Sequence, residues 1–258
     1  MRKPISPHGI PELRKAVEFL SLEQGLTRTD LARQVGISVG YLNGFIRGRK
    51  HPRNEIKARV INSFPLSDDQ RRHLFELAQP SQHLPPTDEL HRCITKLGAQ
   101  DHLADLDAYG YVGLYLDPLR NILCGNESFH QLVPGLAAVD HNYVRWMFSP
   151  EARRLVVNWP DEARLAVIIL RSSLGRFRDD PRARELFETL MRDRDFARLW
   201  KSTTMQVAYG RDIPTPMLVH TPDATEPQPL DLEISQYNGC EYVIFANGGY
   251  ETVDTATR

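Results

Sequence analysis

Residues 27–48 read TRTDLARQVGISVGYLNGFIRG, two short helical patterns joined by a tight turn. Thr27 is placed to cap the first, whose Leu31, Ala32 and Val35 share one side. Gly36 suits the left-handed residue that closes a helix. Ser38 is placed to cap the second, which carries Tyr41, Leu42, Phe45 and Ile46, and Gly48 ends it. Helices this short do not persist alone in water, so each needs neighbours to cover its apolar side. Ala32 is small enough to let the two approach closely. The segment therefore commits the first part of the chain to a compact, all-helical unit.

Adjoining residues supply the remaining helices. Pro11 suits the first turn of a helix bearing Leu13, Val17 and Leu20. Asn54 is placed to cap a fourth, with Ile56, Val60 and Ile61, and Ser67 opens a fifth, with Leu74, Leu77 and Ala78 facing inward. Around residues 27–48 this is the layout of a helix-turn-helix, in which the second helix enters the DNA major groove and the first braces it. Charge agrees with that layout. Residues 1–80 hold 14 Lys and Arg against 8 Asp and Glu, a net +6, whereas residues 81–258 hold 18 against 25, a net −7. Between Arg28 and Arg59 there are eight basic residues and two acidic ones, Asp30 and Glu55. A basic lobe on a chain of net charge −1 points to a polyanion met by the first lobe alone. Gly40 and Gly44 run against the pattern: inside the second helix each costs about 1 kcal/mol relative to alanine and offers no side chain to read with.

PSQHLPPTDE (80–89) has three prolines, lacks apolar periodicity and precedes the change of charge sign. The expected division is a helix-turn-helix domain at 1–80, a linker at 81–87, a second domain at 88–250 and a tail at 251–258. In the second domain a helix is expected over about 87–106. YVGLYLD (111–117) and NILCGN (121–126) read as a strand pair around an Asp117-Pro118 turn. SPEARRLVV, WPDEARLAVIILRSSL and PRARELFETLMRD read as helices, with a break near Pro160. MQVAYGRD, MLVHTP, LDLEISQ and EYVIFAN read as four strands. The order predicts an α+β chain: a five-helix N-terminal domain, then an antiparallel sheet covered by helices.

Several function classes find no residues to carry them. The longest apolar run, LAVIIL (165–170), is too short to span a bilayer, and the charges from Arg2 to Glu23 leave no secretory apolar core. Cys93, Cys124 and Cys240 lack metal or redox spacing and read as three structural thiols in a reducing cytosol, so a cytoplasmic location is expected. The sequence contains no G-x-S-x-G elbow, phosphate-cradling glycine loop, H-E-x-x-H or C-x-x-C, and His91, His102, His130 and His141 lack ligand-like neighbours. No catalytic residue, metal site or resident cofactor is expected.

The apolar content of the second domain says more. Trp146 and Trp159 accompany Ala163, Ala166, Val167 and Leu170, which recur at helical spacing. A pocket between a curved sheet and its covering helices suits an apolar ligand. Tyr111 and Tyr115 are candidates for polar tips in such a pocket, and Arg145 or Arg171 for meeting a ligand carboxylate.

GLTRTDLARQVGIS, YLNGFIRGRKHP and the helix after them resemble the Xre-type, phage-repressor-like helix-turn-helix regulators across the first 78 residues. YGYVGLYLDPLRNILCGN, the helical stretch from SPEARRLVVNWP to PRARELFETL, RDFARLWKS and the closing strands resemble the PAS-like ligand-binding domain of the MmyB-like regulators, over nearly all of 88–250. The first resemblance implies that Val39 and Gly40 face base edges, with Gly44 one turn later, and that Arg28 and Asn43 lie near phosphate. Thr29 and Ser38, at the two helix starts, belong to the same DNA-contact set, and Arg47, Arg49, Lys50 and Arg53 are further backbone contacts. Members of the family usually carry polar or basic side chains at several base-facing positions. Here Val39 alone has a side chain to offer, suited to a thymine methyl. Direct readout is therefore expected to be thin, with specificity from DNA shape or from side chains outside the helix. The second resemblance implies a cavity for a lipid-like, fatty-acid-like or other apolar small molecule.

These readings predict a ligand-responsive regulator, not an enzyme. It binds double-stranded operator DNA as a homodimer assembled through the C-terminal domain, and the effector shifts the spacing of the two reading helices. Two rivals behave differently. A protein-interaction adaptor with a degenerate helix-turn-helix shows no salt-dependent DNA binding, and an enzyme with a DNA-binding head turns over its small molecule.

Overall fold

The computed structural model describes residues 8–211, 215–221 and 224–250; the expected tail at 251–258 lies outside them. The chain divides into two compact units. Residues through His83, joined by Arg171–Thr189 and Trp200–Tyr209, make the first; Leu84–Leu170, Leu190–Leu199 and the residues from Gly210 make the second.

The first unit opens with α1 (Leu13–Glu23), α2 (Arg28–Val35), α3 (Val39–Ile46), α4 (Asn54–Asn62) and α5 (Asp68–Ala78). Local chemistry sets most of their ends. Thr27 Oγ1 accepts the Asp30 amide at 3.1 Å while the Asp30 carboxylate accepts the Thr27 amide at 3.2 Å, a reciprocal cap on α2. Gly36 closes α2 at φ 71°, and Ser38 Oγ accepts the Tyr41 amide at 3.1 Å to start α3. Ser67 and Gln70 form the same reciprocal cap on α5. Helix α4 departs from expectation: Arg53 occupies the capping position without a side-chain bond, and Asn54 is the first helical residue. Val17, Leu31, Leu42, Val60, Ile61 and Leu74 meet at the centre of this unit, and Met205 joins them.

The second unit contains α6 (Thr87–Lys96), α7 (Ala99–Ala108), β1 (Val112–Leu116), β2 (Ile122–Gly125), α8 (Glu127–Leu132), α9 (Tyr143–Met147) and α10 (Pro150–Leu155). Three helices follow, α11 (Trp159–Arg176), α12 (Pro181–Leu190) and α13 (Arg194–Ser202), then β3 (Met217–Val219), β4 (Gln228–Gln236) and β5 (Ile244–Tyr250). Helix α11 contributes residues to both units. The single helix expected over 87–106 is two, because Gly98 takes φ 72° between α6 and α7. MQVAYGRD forms no strand in its described part: Met205 takes φ 65°, and its side chain is buried with the first unit's core. Among the described residues three strands therefore stand where four were expected.

The five strands run antiparallel in the order β2-β1-β5-β4-β3. Leu114 faces Ala246, and Ala246 faces Ile234, forming one row across the three central strands. Alternation puts Leu114 and Leu116 on one face of β1 and Tyr115 on the other. On the Tyr115 side, Leu90 and Ile94 of α6 and Leu103 of α7 complete a core with Leu123 and Val243. Cys93 of α6 and Cys240, from the β4–β5 turn, are disulfide-bonded there, which corrects the expectation of three thiols; Cys124 is free.

Candidate functional site

Two surfaces carry chemistry, one in each unit. In the first, α3 presents exposed Val39, Gly40 and Arg47 with half-buried Asn43 between them, opposite buried Leu42, Phe45 and Ile46. A side-chain carbon added at Gly40 would meet nothing within 4 Å, so the backbone there is open to close approach. Arg47, Arg49, Lys50 and Arg53 are exposed, and among the described residues none of them is ion-paired. Arg28 is held differently. Its Nη2 donates to Glu18 Oε1 at 2.6 Å and its Nη1 to Asn43 Oδ1 at 2.6 Å, tying α1, α2 and α3 together. Glu18 offsets the Arg28 charge, so the unpaired cations lie after α3 and before α4 and not at the start of α2. Thr29 and Ser38 are exposed at the first turn of α2 and the cap of α3.

The second surface is a cavity of about 90 Å³ inside the second unit, between the sheet and α8, α9 and α11. Its floor is the Leu114 face of the sheet: Val112, Leu114 and Leu116 of β1, Ala246 of β5 and Leu230, Leu232 and Ile234 of β4. Phe129, Leu132, Val144, Trp146 and Met147 close one side. Helix α11 contributes Glu162, Leu165, Ala166 and Ile169, a single stripe at spacings of three and four.

Four polar residues interrupt these apolar walls: Arg120, Tyr143, Glu162 and Arg211. The Arg211 guanidinium grips Glu162 with two bonds of 2.6 and 2.7 Å, an ion pair nearly sealed from solvent. Arg120 makes no such two-bond pair, although the Asp117 carboxylate attracts it from the same turn. Its backbone sits at φ 70° in the β1–β2 turn, a strained setting for a side chain. The turn is fixed by Arg120 N to Asp117 O at 2.9 Å, by Tyr143 N to Arg120 O at 2.9 Å and by Asn142 Nδ2 to Leu119 O at 2.9 Å. Asp117 in the same turn gives its carboxylate to the amide and side chain of Asn121, at 3.0 and 2.8 Å. Arg120 Nη1 is consequently buried without a partner among the described residues. Burial draws its pKa down to about 10, so it stays cationic at neutral pH. Burial also pushes the Tyr143 hydroxyl well above its ordinary range, leaving it a neutral donor beside the charges. The chamber is thus apolar apart from Arg120, Tyr143 and the Glu162–Arg211 pair, with Arg120 Nη1 left without a partner among the described residues.

Of the ligand candidates read from sequence, Trp146 and Ala166 line the cavity. Ala163, Val167 and Leu170 are buried on the adjacent stripe of α11, one residue and so about 100° around the helix. Tyr115 lies on the opposite face of the sheet, where its hydroxyl shares a 2.6 Å hydrogen bond with His102 Nδ1. Tyr111 is exposed, and Trp159 is half-buried with its Nε1 donating to Met147 O at 2.7 Å. Arg145 pairs with Asp140. Arg171 falls in the first unit, where it stacks 3.9 Å from the Trp200 ring and donates to Trp200 O and Thr203 Oγ1 at 2.8 and 2.9 Å. Sequence reasoning missed Arg120, Tyr143, Glu162 and Arg211. The one local hint was an arginine ending an Asp-Pro turn between two apolar strands.

Residues 18–62 match the helix-turn-helix family model, and residues 103–225 match the model of the MmyB-like transcription regulator ligand binding domain. The first match contains α2, α3 and α4; the second contains the β1–β2 turn, α8 to α13 and β3. No curated protein matches the chain. Among the described residues no helix is long and apolar enough to cross a membrane, and no cluster of His, Cys, Asp and Glu is arranged to hold a metal ion.

Proposed function

We propose, for this chain with its helix-turn-helix and its MmyB-like transcription regulator ligand binding domain, that the two matched parts work as one device. The matches themselves support a ligand-responsive, DNA-binding transcriptional regulator. Beyond that, the chain binds operator DNA as a homodimer, because one helix-turn-helix covers a single half-site. Its effector is a fatty-acid-like or other apolar small molecule with an anionic head, bound in the cavity of the second unit. The observation that carries this reading is the buried, cationic Arg120, whose Nη1 lacks a partner among the described residues in a largely apolar chamber. A carboxylate placed there completes the hydrogen bonding that the protein leaves open, which is worth about 1.5–3 kcal/mol for a charged pair.

At about 90 Å³ the cavity is smaller than the roughly 300–1,000 Å³ of typical ligand sites, so a long effector enters only as α11 parts from the sheet. That movement is the proposed link between binding and regulation: a ligand that prefers the open form shifts the population towards it.

Native mass spectrometry of the purified full chain, stripped of lipid and incubated with palmitate, tests the reading. Expected are a dimer and a palmitate adduct on the wild type, with the adduct weakened about 10- to 100-fold in Arg120→Met. A monomer with no adduct at any palmitate concentration contradicts it. DNA binding that is absent at every salt concentration would favour the interaction adaptor instead.

A further inference from the structure

Lys50 lies outside α3, yet its side chain is laid on that helix. A Cβ built at Gly44 would sit 2.6 Å from Lys50 Cγ and 3.4 Å from Lys50 Cβ, so the lysine stem rests directly on the glycine's backbone. The end of α3 forces this arrangement. Gly48, at φ 71°, donates its amide to Phe45 O at 2.8 Å, and Arg49 donates to Gly44 O at 2.8 Å, the paired bonds of a Schellman turn. The Lys50 amide then donates to the same Gly44 carbonyl at 3.1 Å. The chain is thereby folded back over its own helix, and any residue larger than glycine at 44 would collide with what it brings.

We infer that Lys50 is the base-reading residue of α3, supplying from beyond the helix the donor that Gly40 and Gly44 lack. This rests on the DNA-binding reading above. Gly44 lies one turn after Gly40 and is half-buried, on a helix whose Leu42, Phe45 and Ile46 are committed to the core. Lys50 is exposed and, among the described residues, has no acidic partner to hold its ammonium back. An ammonium carried across the groove-facing side of a recognition helix meets the O6 and N7 acceptors of guanine. The open backbone at Gly40 lets the helix approach closely enough for a side chain lying flat on it to reach. The two glycines then share one purpose: one makes room for the lysine stem, the other for the DNA.

The test is selection of bound duplexes from a random pool by the full chain, its Lys50→Met variant and its Gly44→Ala variant, followed by affinity titrations at several salt concentrations. The expected wild-type site contains a G·C pair at one position of each half-site. Lys50→Met loses the preference at that position alone and binds the wild-type site about 5- to 150-fold more weakly, with the salt slope changed by less than one phosphate contact. Gly44→Ala keeps the lysine but displaces its stem and loses the same position. It also favours the helix, so a folding failure does not mask the result. Two results overturn the inference. One is a Lys50→Met site identical to the wild-type site; the other is uniform weakening with a salt slope smaller by about one, which marks Lys50 as a phosphate contact. If the wild type itself selects no sequence and shows no salt dependence, the DNA-binding reading falls as well.

Discussion

His73 gives the sharpest stability prediction. It lies on α5 at 1% exposure, and its imidazole occupies space where a Cβ on Gly175 would come within 2.5 Å of Cε1. Its Nδ1 is buried without a partner among the described residues. Burial, reinforced by the Arg171 and Arg178 cations, holds its pKa near 3 against an ordinary 6.5. The folded chain therefore refuses a proton that the unfolded chain accepts throughout that window. Stability is full above pH 6.5 and falls as pH drops towards 3, because the unfolded state binds more protons there. The whole gap corresponds to about 5 kcal/mol, of which about 2 kcal/mol is already lost by pH 5. Urea unfolding of the full chain at pH 7.5 and pH 5 reads this as a midpoint shift of about 1 M. His73→Leu has no group to titrate, and its own shift between the two pH values should be smaller by that amount. Carboxylates that also titrate cancel in the difference between wild type and variant. Equal shifts in the two proteins, or a folded-state NMR titration of His73 near 6.5, would refute the argument.

Three other perturbations follow from the same geometry. Arg120→Met removes a buried charge with an unpaired donor, so the ligand-free variant should melt at or above the wild-type temperature while losing palmitate affinity about 10- to 100-fold; calorimetry and binding titration read the two effects. Reducing the Cys93–Cys240 bond, which spans 147 residues, should destabilise the second unit by about 2–5 kcal/mol, seen as a lower melting transition in reductant that Cys93→Ser reproduces without it. Ser38→Ala removes the cap of α3 and should cost about 1 kcal/mol in the urea unfolding of the first unit; an unchanged midpoint would mean another group satisfies the Tyr41 amide.

The first unit was legible where its signals are local. Thr27, Gly36, Ser38, Gly48 and Ser67 act within a few residues of themselves, and each does in the structure what its position implied. The helix break at Gly98 was missed because the apolar pattern continues on both sides of it. MQVAYGRD has the composition of a strand, but its leading methionine is used in a distant core, and composition carries no record of that. The cavity shows the same limit. On α11 the stripe of Ala163, Val167 and Leu170 is more apolar than its neighbour, so sequence favours it, whereas the lining stripe includes Glu162, whose charge is explained only by Arg211 far along the chain. Cys93 and Cys240 likewise find each other through the fold and have no spacing to announce them. The hydrogen bond between Arg28 and Asn43 joins residues fifteen positions apart, and no local pattern announces it.

Binding of the full chain to its selected operator, measured by fluorescence anisotropy across a salt series with lipid-stripped and palmitate-loaded protein, tests the central claim most directly. The account predicts affinity that falls steeply with salt and that differs about fivefold or more between the two forms at a given salt concentration. Identical affinities for the stripped and loaded protein, or no binding to DNA at low salt, would contradict it.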